Sequence, residues 1–586
     1  MSPELRRARN RQMVIFLLVC LGLLVMICRL YYWQILQSQG GYRLAARANE
    51  EHTESGIVAA PRGLIYDVHG QLLAGNVVRD DVYIEPIQFA TDHPDTDTAQ
   101  TDLHGLVTSL HHVLAQVPVT TLLQDFTSGL ATVRIATTID PAQSEQLRQL
   151  HLSDIFLEPH TLRVYPGNDL AAQVLGYVQE GDGGQGVYGI EAQYNSLLAG
   201  KAGSFTAETD LNGNPLTVGN NIQHSTVNGA NLTLTINSAI QYFVQNNLTA
   251  AVQEMRAQSG SAVVVDVQSG AVVAMAGAPS FDPNNYGAYA NVKGCLDSEE
   301  AYFNPVLFCA YEPGSTMKAV TMAAALDQGV ITANTAINDQ GRIHFDNAQT
   351  VANWGDLSYG HETMTQVLEH SANVGAAWVA HDRLGASRFY PYLTRFGFGQ
   401  PTGVGGGAEA SGSYRSSTSP GWSPSDLTRQ SFGQSILATP FQMAMAYEAI
   451  ANGGVMMKPY LVSAVTTNGH ATKTRPQVLR RVISAQAAQS LTSMLQQSAS
   501  SGLAKTVAFP GYSIAAKTGT ATTQGVSDTQ TEASVIGYLP ASHPRFVILV
   551  KLDRPQATIY GGTAAAPLWQ AIAQQLMWSY SVAPDQ

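Results

Sequence analysis

A chain of 586 residues exceeds what one ordinary hydrophobic core fills, so two or three domains are expected. The formal charge is −12, only 13% of residues are charged and no basic stripe occurs, which argues against a nucleic-acid partner. The 15 histidines are scattered and, with the 4 cysteines, form no set at zinc-ligand spacing, so no metal and no cofactor is expected.

Arg6, Arg7, Arg9 and Arg11 precede an apolar run over 13–28, and Arg29, Leu30, Tyr31, Tyr32 and Trp33 close it. Taken over 13–33, the run reaches about 30 Å as a helix, the thickness of a bilayer core. The arginines place residues 1–12 in the cytoplasm, and the aromatic residues form an interfacial belt beside a snorkelling Arg29. Arg29 and the aromatics stand where a signal peptide would carry small residues for cleavage, so a retained single-pass anchor with the bulk of the chain outside is expected. Cys20 and Cys28 read as apolar filler within it. Cys295 and Cys309 flank a short segment and either pair in an oxidising compartment or remain two thiols; the sequence leaves both open.

Beyond the anchor, 34–49 reads as a helix. Alternation around Asp67-Val-His-Gly70 reads as a hairpin with glycine supplying the positive φ. The polar stretch 91–104 reads as a surface loop and 139–151 as a short helix. Glu191 has no partner carboxylate nearby in sequence and is given a structural role. Residues 203–235 read as strand and turn, and a second domain begins near 232. Ile240, Phe243, Val244, Leu248, Val252 and Met255 recur at helical spacing over 238–258. Two β-branched runs between Ser261 and Met275, joined by Gln268-Ser-Gly270, form a hairpin.

Tyr311-Glu-Pro-Gly-Ser-Thr-Met-Lys318 follows. A helix starting at Ser315 would put that hydroxyl and the Lys318 amine on one face, one turn apart. Serine is a poor nucleophile until a base takes its proton, and a buried lysine can be that base. Further along come Ser371-Ala-Asn373, within a helix over 367–384, and Lys517-Thr-Gly-Thr520, placed as an edge strand would be. Residues 401–424 read as a Gly/Ser-rich loop, 431–452 as a long helix, 533–551 as a hairpin and 564–580 as a closing amphipathic helix.

The ordered set Ser-x-x-Lys, Ser-x-Asn and Lys-Thr-Gly resembles the penicillin-recognising serine acyltransferases. Arg62-Gly63, Asp67-x-x-Gly70 and Leu73-Ala74 resemble the opening signature of class B penicillin-binding proteins, and 162–178, 189–200 and 278–284 are similar to further motifs of that family. The resemblance implies three parts: an N-terminal transmembrane helix (13–33), an elongated α+β pedestal of dimerisation type (34–231), and an α/β penicillin-binding transpeptidase domain (232–582). The last is an antiparallel sheet flanked by helices, with an all-helical subdomain. No Glu-Asp-x-x-Phe-x-x-His glycan-polymerising motif occurs. Glycan synthesis is therefore assigned to a partner, which the resemblance implies is a multi-span lipid II polymerase.

The same resemblance assigns roles. Ser315 is expected to attack the penultimate D-alanine carbonyl of a peptidoglycan stem peptide, and to be acylated by β-lactams. Lys318 is its general base, helped by the charge of Lys517. Ser371 relays the proton, and Asn373 holds Lys318 and the substrate amide. The backbone N–H groups of Ser315 and Thr520 form the oxyanion hole. Lys517, Thr518 and Thr520 hold the terminal carboxylate, while Gly519 lets substrate approach the strand. Met317 departs from the phenylalanine common in relatives. Tyr311-Glu-Pro-Gly, Ser431-Phe-Gly-Gln, Gly561-Gly, Ala565-Ala-Pro567, Glu409-Ala-Ser-Gly412 and Trp422 lean towards the division or spore-septum branch. The alternatives are a cell-elongation transpeptidase, a β-lactamase or D,D-carboxypeptidase, and an acylated sensor or non-catalytic divisome scaffold.

Overall fold

The computed structural model describes residues 3–32, 53–94, 96–152, 154–179, 184–208, 222–295, 300–406, 409–522 and 530–586. Trp33 and the helix expected over 34–49 lie outside the described residues.

The chain divides into two compact units, Met1–Pro61 with Gly200–Asn228 and Arg62–Ala199 with Gly229–Gln586. The first holds the helix Pro3–Tyr31, of which Arg9–Tyr31 is long and apolar enough to cross a membrane. From Arg9 onward its side chains are all exposed. The same unit holds a three-stranded antiparallel sheet of Thr53–Val58, Gly203–Glu208 and Ile222–His224.

The second unit is built on two sheets. A five-stranded antiparallel sheet runs in the order Val272–Ala278, Ser259–Asp266, Phe546–Asp553, Thr531–Leu539, Ala515–Thr522. Its inner strands read as continuous apolar runs because both faces are covered. Val263 and Val265 enter one core with the helix Pro440–Ala451, while Ala262 and Val264 enter the other with the helices Ser238–Glu254 and Ala566–Ser579. Pro440–Ala451 is buried nearly all round, through Ile450, as its Phe-Gln-Met-Ala-Met-Ala sequence demands. It starts at Pro440 rather than 431, because Thr439 and Gln442 form a capping box around a proline suited to the first turn. The strand carrying Lys517 is the sheet's edge.

The second sheet runs His470–Lys473, Val462–Thr467, Asn231–Leu234, Ile65–Tyr66, Leu72–Ile84, Val133–Ile139, with Ile155–Val164 paired along Leu72–Ile84. Asn231–Leu234 and Ile65–Tyr66 are parallel. The expected hairpin is present, with Ile65 opposite Ala74 and Gly70 at φ 83°. Asp67 accepts from the backbone N–H of His69 and Gln71, both at 2.8 Å, and from Ser238 Oγ at 2.6 Å, which fastens the hairpin to the start of helix Ser238–Glu254. Glu191 is fully buried between Arg62 (2.6 Å) and Arg163 (2.8 Å), the structural role expected of it.

Two expected elements differ. Residues 91–104 are no loop: Pro86–Asp92 and Thr96–Val113 are helices whose Phe89, Val107 and Leu110 share a small core with Leu122 and Phe126. Their polar residues occupy the solvent face. The single helix expected over 367–384 is three segments, Met364–His370, Asn373–Trp378 and a π-helical Val379–Leu384. The first break falls at Ser371, which is left-handed at φ 59°.

Candidate active site

The segment before Ser315 is held as a loop by backbone contacts. Tyr311 and Ala438 exchange N–H···O bonds of 3.0 and 2.9 Å, and Gly314 N donates to Gly433 O at 3.0 Å. Gly314 lies at φ 56° and Gly433 at φ 83°; a Cβ on Gly433 would sit 2.2 Å from Gly314 O. Gly314–Met317 forms a 3-10 turn and the α-helix proper spans Lys318–Asp327, three residues later than the expected start. Thr316 Oγ1 donates to Pro313 O at 2.7 Å, Tyr447 OH to Thr316 O at 2.9 Å and Thr321 Oγ1 to Ser431 O at 2.7 Å. Met317 is fully buried beneath the turn. Within 311–320, Ser315 is the one residue that is not buried. The turn therefore presents a single hydroxyl from an otherwise closed surface.

Lys318 is fully buried and its Nζ donates to Ser371 O and to Ser371 Oγ, the latter at 3.3 Å. That carbonyl belongs to the left-handed cap of Met364–His370, where it has no helical partner. Lys517, also fully buried, donates to Ser371 Oγ at 2.9 Å and to Thr518 O at 3.3 Å. One hydroxyl thus joins the two lysines. Burial, then the neighbouring Lys517, hold Lys318 well below the ordinary lysine range, while Glu362 and Asp339 oppose the shift. Burial lowers Lys517 to about 7.

Asn373 differs from expectation: its Nδ2 donates to Ala352 O at 3.1 Å, and the bonds of Lys318 run to Ser371 instead. Thr518 is nearly buried, and Thr520 Oγ1 accepts from Gly561 N at 3.2 Å. A Cβ on Gly519 would lie 2.4 Å from Ser534 Oγ and 3.0 Å from Pro313 O, so the glycine admits the Ser315 turn against the sheet. Gly561 approaches in the same way, its Cβ position 2.3 Å from both Gly519 O and Ser534 O. Across the rim, exposed Trp354 and Tyr560 meet edge to face with centroids 6.1 Å apart.

Cys295 and Cys309 form a disulfide shortly before the turn. Asp339, Asn353 and Glu362, which surround the Ser371 turn, were not legible in the sequence. Each reads alone as a solvated polar residue, and only the fold brings them together. Gly433 was within reach, since Ser431-Phe-Gly-Gln stands out as a motif.

The sequence matches the Penicillin binding protein transpeptidase domain over residues 260–577 and the Penicillin-binding Protein dimerisation domain over 57–234. It is similar to penicillin-binding protein PbpB of Mycolicibacterium smegmatis, 33% identical over 486 residues, covering 79% of this chain and 72% of the relative. It is also similar to peptidoglycan D,D-transpeptidase FtsI of Escherichia coli K12, 30% identical over 459 residues, covering 77% of this chain and 73% of that one. Among solved structures, penicillin binding protein 3 of Mycobacterium tuberculosis complexed with aztreonam is 27% identical with a TM-score of 0.67, covering 91% of this chain and 98% of that one. The chain belongs to the class B penicillin-binding protein family, with a dimerisation domain followed by a transpeptidase domain.

Proposed function

We propose that this protein is a membrane-anchored D,D-transpeptidase that cross-links peptidoglycan and is acylated by β-lactams at Ser315. The observation that carries this reading is the Lys318–Ser371–Lys517 cluster beside Ser315, the one residue of the nucleophile turn that is not buried. Ser315 Oγ attacks the penultimate D-alanine carbonyl as its proton passes to neutral Lys318. The C–N bond to the terminal D-alanine breaks, and that amine leaves with a proton relayed through Ser371. An amine of a neighbouring stem peptide then attacks the acyl-serine, forming the new amide and returning the proton to Ser315. Cationic Lys517, with Thr518 and Thr520, holds the terminal carboxylate, and Asn373 orients the stem-peptide amide. The N–H groups of Ser315 and Thr520 receive the oxyanion; one such donor is worth about 3 kcal/mol.

In this reading 13–33 spans the membrane with 1–12 in the cytoplasm, 34–231 serves as the pedestal and 232–582 as the catalytic domain. A multi-span lipid II polymerase supplies glycan strands through contacts with anchor and pedestal. The septal branch is favoured by Tyr311-Glu-Pro-Gly, Ser431-Phe-Gly-Gln and Gly561-Gly, and a tagged copy at the sidewall instead of the septum would reverse that assignment.

Labelling the detergent-solubilised chain with a fluorescent penicillin tests the chemistry. A stable covalent band is expected in the wild type, absent from Ser315→Ala and strongly reduced in Lys318→Ala. No band from a folded wild type would sink serine acylation, and rapid loss of the band with penicillin turnover would mark a β-lactamase.

A further inference from the structure

Behind the Ser371 turn lie two buried carboxyl groups that the acyl-transfer scheme does not use. Glu362 stands on strand Gly360–Thr363, which pairs antiparallel with Ala336–Asp339. Asp339 is fully buried and Glu362 is 1% exposed. Both Asp339 oxygens already accept, from Gly341 N and Asn353 Nδ2, each at 2.7 Å. Glu362 Oε2 lies 3.1 Å from His370 Nδ1, but Oε1 is buried with no donor from the protein. Glu362 pairs with Ile337 and Asp339 with Gly360, so the two carboxyl groups share one face of the strand pair as diagonal neighbours, and only a proton on one of them lets a hydrogen bond form between two acceptors.

The pair also brackets the turn. Glu362 reaches His370, the residue before Ser371, and Asp339 reaches Asn353, whose Oδ1 accepts from Val374 N at 3.0 Å, directly after Asn373. We propose that Asp339 and Glu362 hold a single proton between them and act as a positioning pair for the Ser371 turn. Losing that proton favours the charged form of Lys318 and slows acylation.

The titratable groups facing Glu362 are Asp339 from its partner strand, His370 from the following helix, Lys318 from the nucleophile helix, and Tyr359, whose ring stacks on His370. The helix Ala485–Ser500, packed on Met364–His370, carries no titratable side chain. Burial, then Asp339, push Glu362 up to about 8, and both carboxyls favour charge on Lys318. The proton is therefore held at pH 7 and lost on the alkaline side.

This inference rests on Lys318 acting as the base. The experiment is the acylation rate of the full chain in detergent, with a fluorescent penicillin, from pH 6 to 9.5 in wild type and Glu362→Gln. Glutamine imitates the protonated carboxyl, so the ratio of variant to wild type should be near one at pH 7. It should rise above one as the pH passes about 8, where the wild-type carboxyl loses its proton and the glutamine cannot. Lys517 titrates in both proteins and largely cancels in the ratio. Infrared difference spectra supply a readout independent of activity: a protonated-carboxyl stretch that bleaches as pH rises through about 8 and is missing from Glu362→Gln. A flat ratio, a variant that no longer acylates at pH 7, or absence of that stretch overturns the proposal. A folded wild type that never acylates overturns the acyl-transfer reading itself, and the infrared band then decides whether the proton is shared.

Discussion

Lys517 Nζ donates to Ser371 Oγ at 2.9 Å, so the hydroxyl that also meets Lys318 is held from the far side by a second buried amine. Two cations cannot share so small a buried space cheaply, which favours one neutral lysine. Ser371→Ala should slow acylation by about 10²-fold or more, the usual contribution of a positioned proton relay. Thermal unfolding should move little, since each buried amine keeps a backbone carbonyl, Ser371 O for Lys318 and Thr518 O for Lys517. The pH profile follows from the two shifts. Activity should rise as Lys318 loses its proton, below the ordinary lysine range, and carboxylate anchoring should fade as Lys517 loses its charge around 7. The second-order acylation constant across pH 5–9 checks both limbs; a single rising limb would show that Lys517 stays charged.

Gly433→Ala should injure catalysis more than stability. The added methyl would strike the backbone of Gly314 at a position where φ is 83°, and the nucleophile turn is the part free to shift. A displacement of about 1 Å costs on the order of 10²-fold in rate. The comparison is acylation rate against melting temperature, and a variant acylated at the wild-type rate would show that the turn is held elsewhere.

Glu191 gives the opposite pattern. Glu191→Ala leaves Arg62 and Arg163 buried without their shared anion, at a cost of about 3–5 kcal/mol. Urea unfolding should register that loss while the folded fraction is acylated normally. An acylation defect in fully folded variant would give Glu191 a part in the chemistry.

The Cys295–Cys309 bond closes a loop with a sequence separation of 14, which constrains the unfolded chain by about 3 kcal/mol. A reductant should lower the melting temperature of wild type and leave that of a Cys295→Ser/Cys309→Ser double variant unchanged. Equal sensitivity in the two would trace the effect to another thiol.

The sequence was most informative where chemistry depends on local spacing. Ser315 and Lys318 are one turn apart in any helical geometry, and Lys517 follows a short apolar lead as an edge strand would. It was least informative where long-range contacts override local pattern. The left-handed break at Ser371 sets its carbonyl against the Lys318 amine, 53 residues away in sequence, a contact that no local pattern foretells. The helix Thr96–Val113 looked like a loop because few of its residues are apolar, and those few are the ones its small core uses. At Gly519 the missing side chain admits Ser534 and Pro313, partners that lie far from it in sequence or on another element and leave no local trace. The carboxyl pair left no local trace, because a strand position reads alike whether its carboxylate meets water or a second carboxyl.

The seven-stranded sheet has a consequence for how the chain is made. Asn231–Leu234 pairs on one side with Ile65–Tyr66 and on the other with Val462–Thr467. At about 5–20 residues per second, the 227 residues between Leu234 and Val462 take roughly 10–50 s to synthesise. For that interval the nascent N-terminal half carries an open strand edge able to pair with whatever it meets. The hairpin of Val462–Thr467 and His470–Lys473 closes that edge, presenting a last strand whose side chains are all exposed. A truncation ending before residue 462 should therefore aggregate even with the first part of the sheet intact, and a hairpin supplied in trans is the natural rescue.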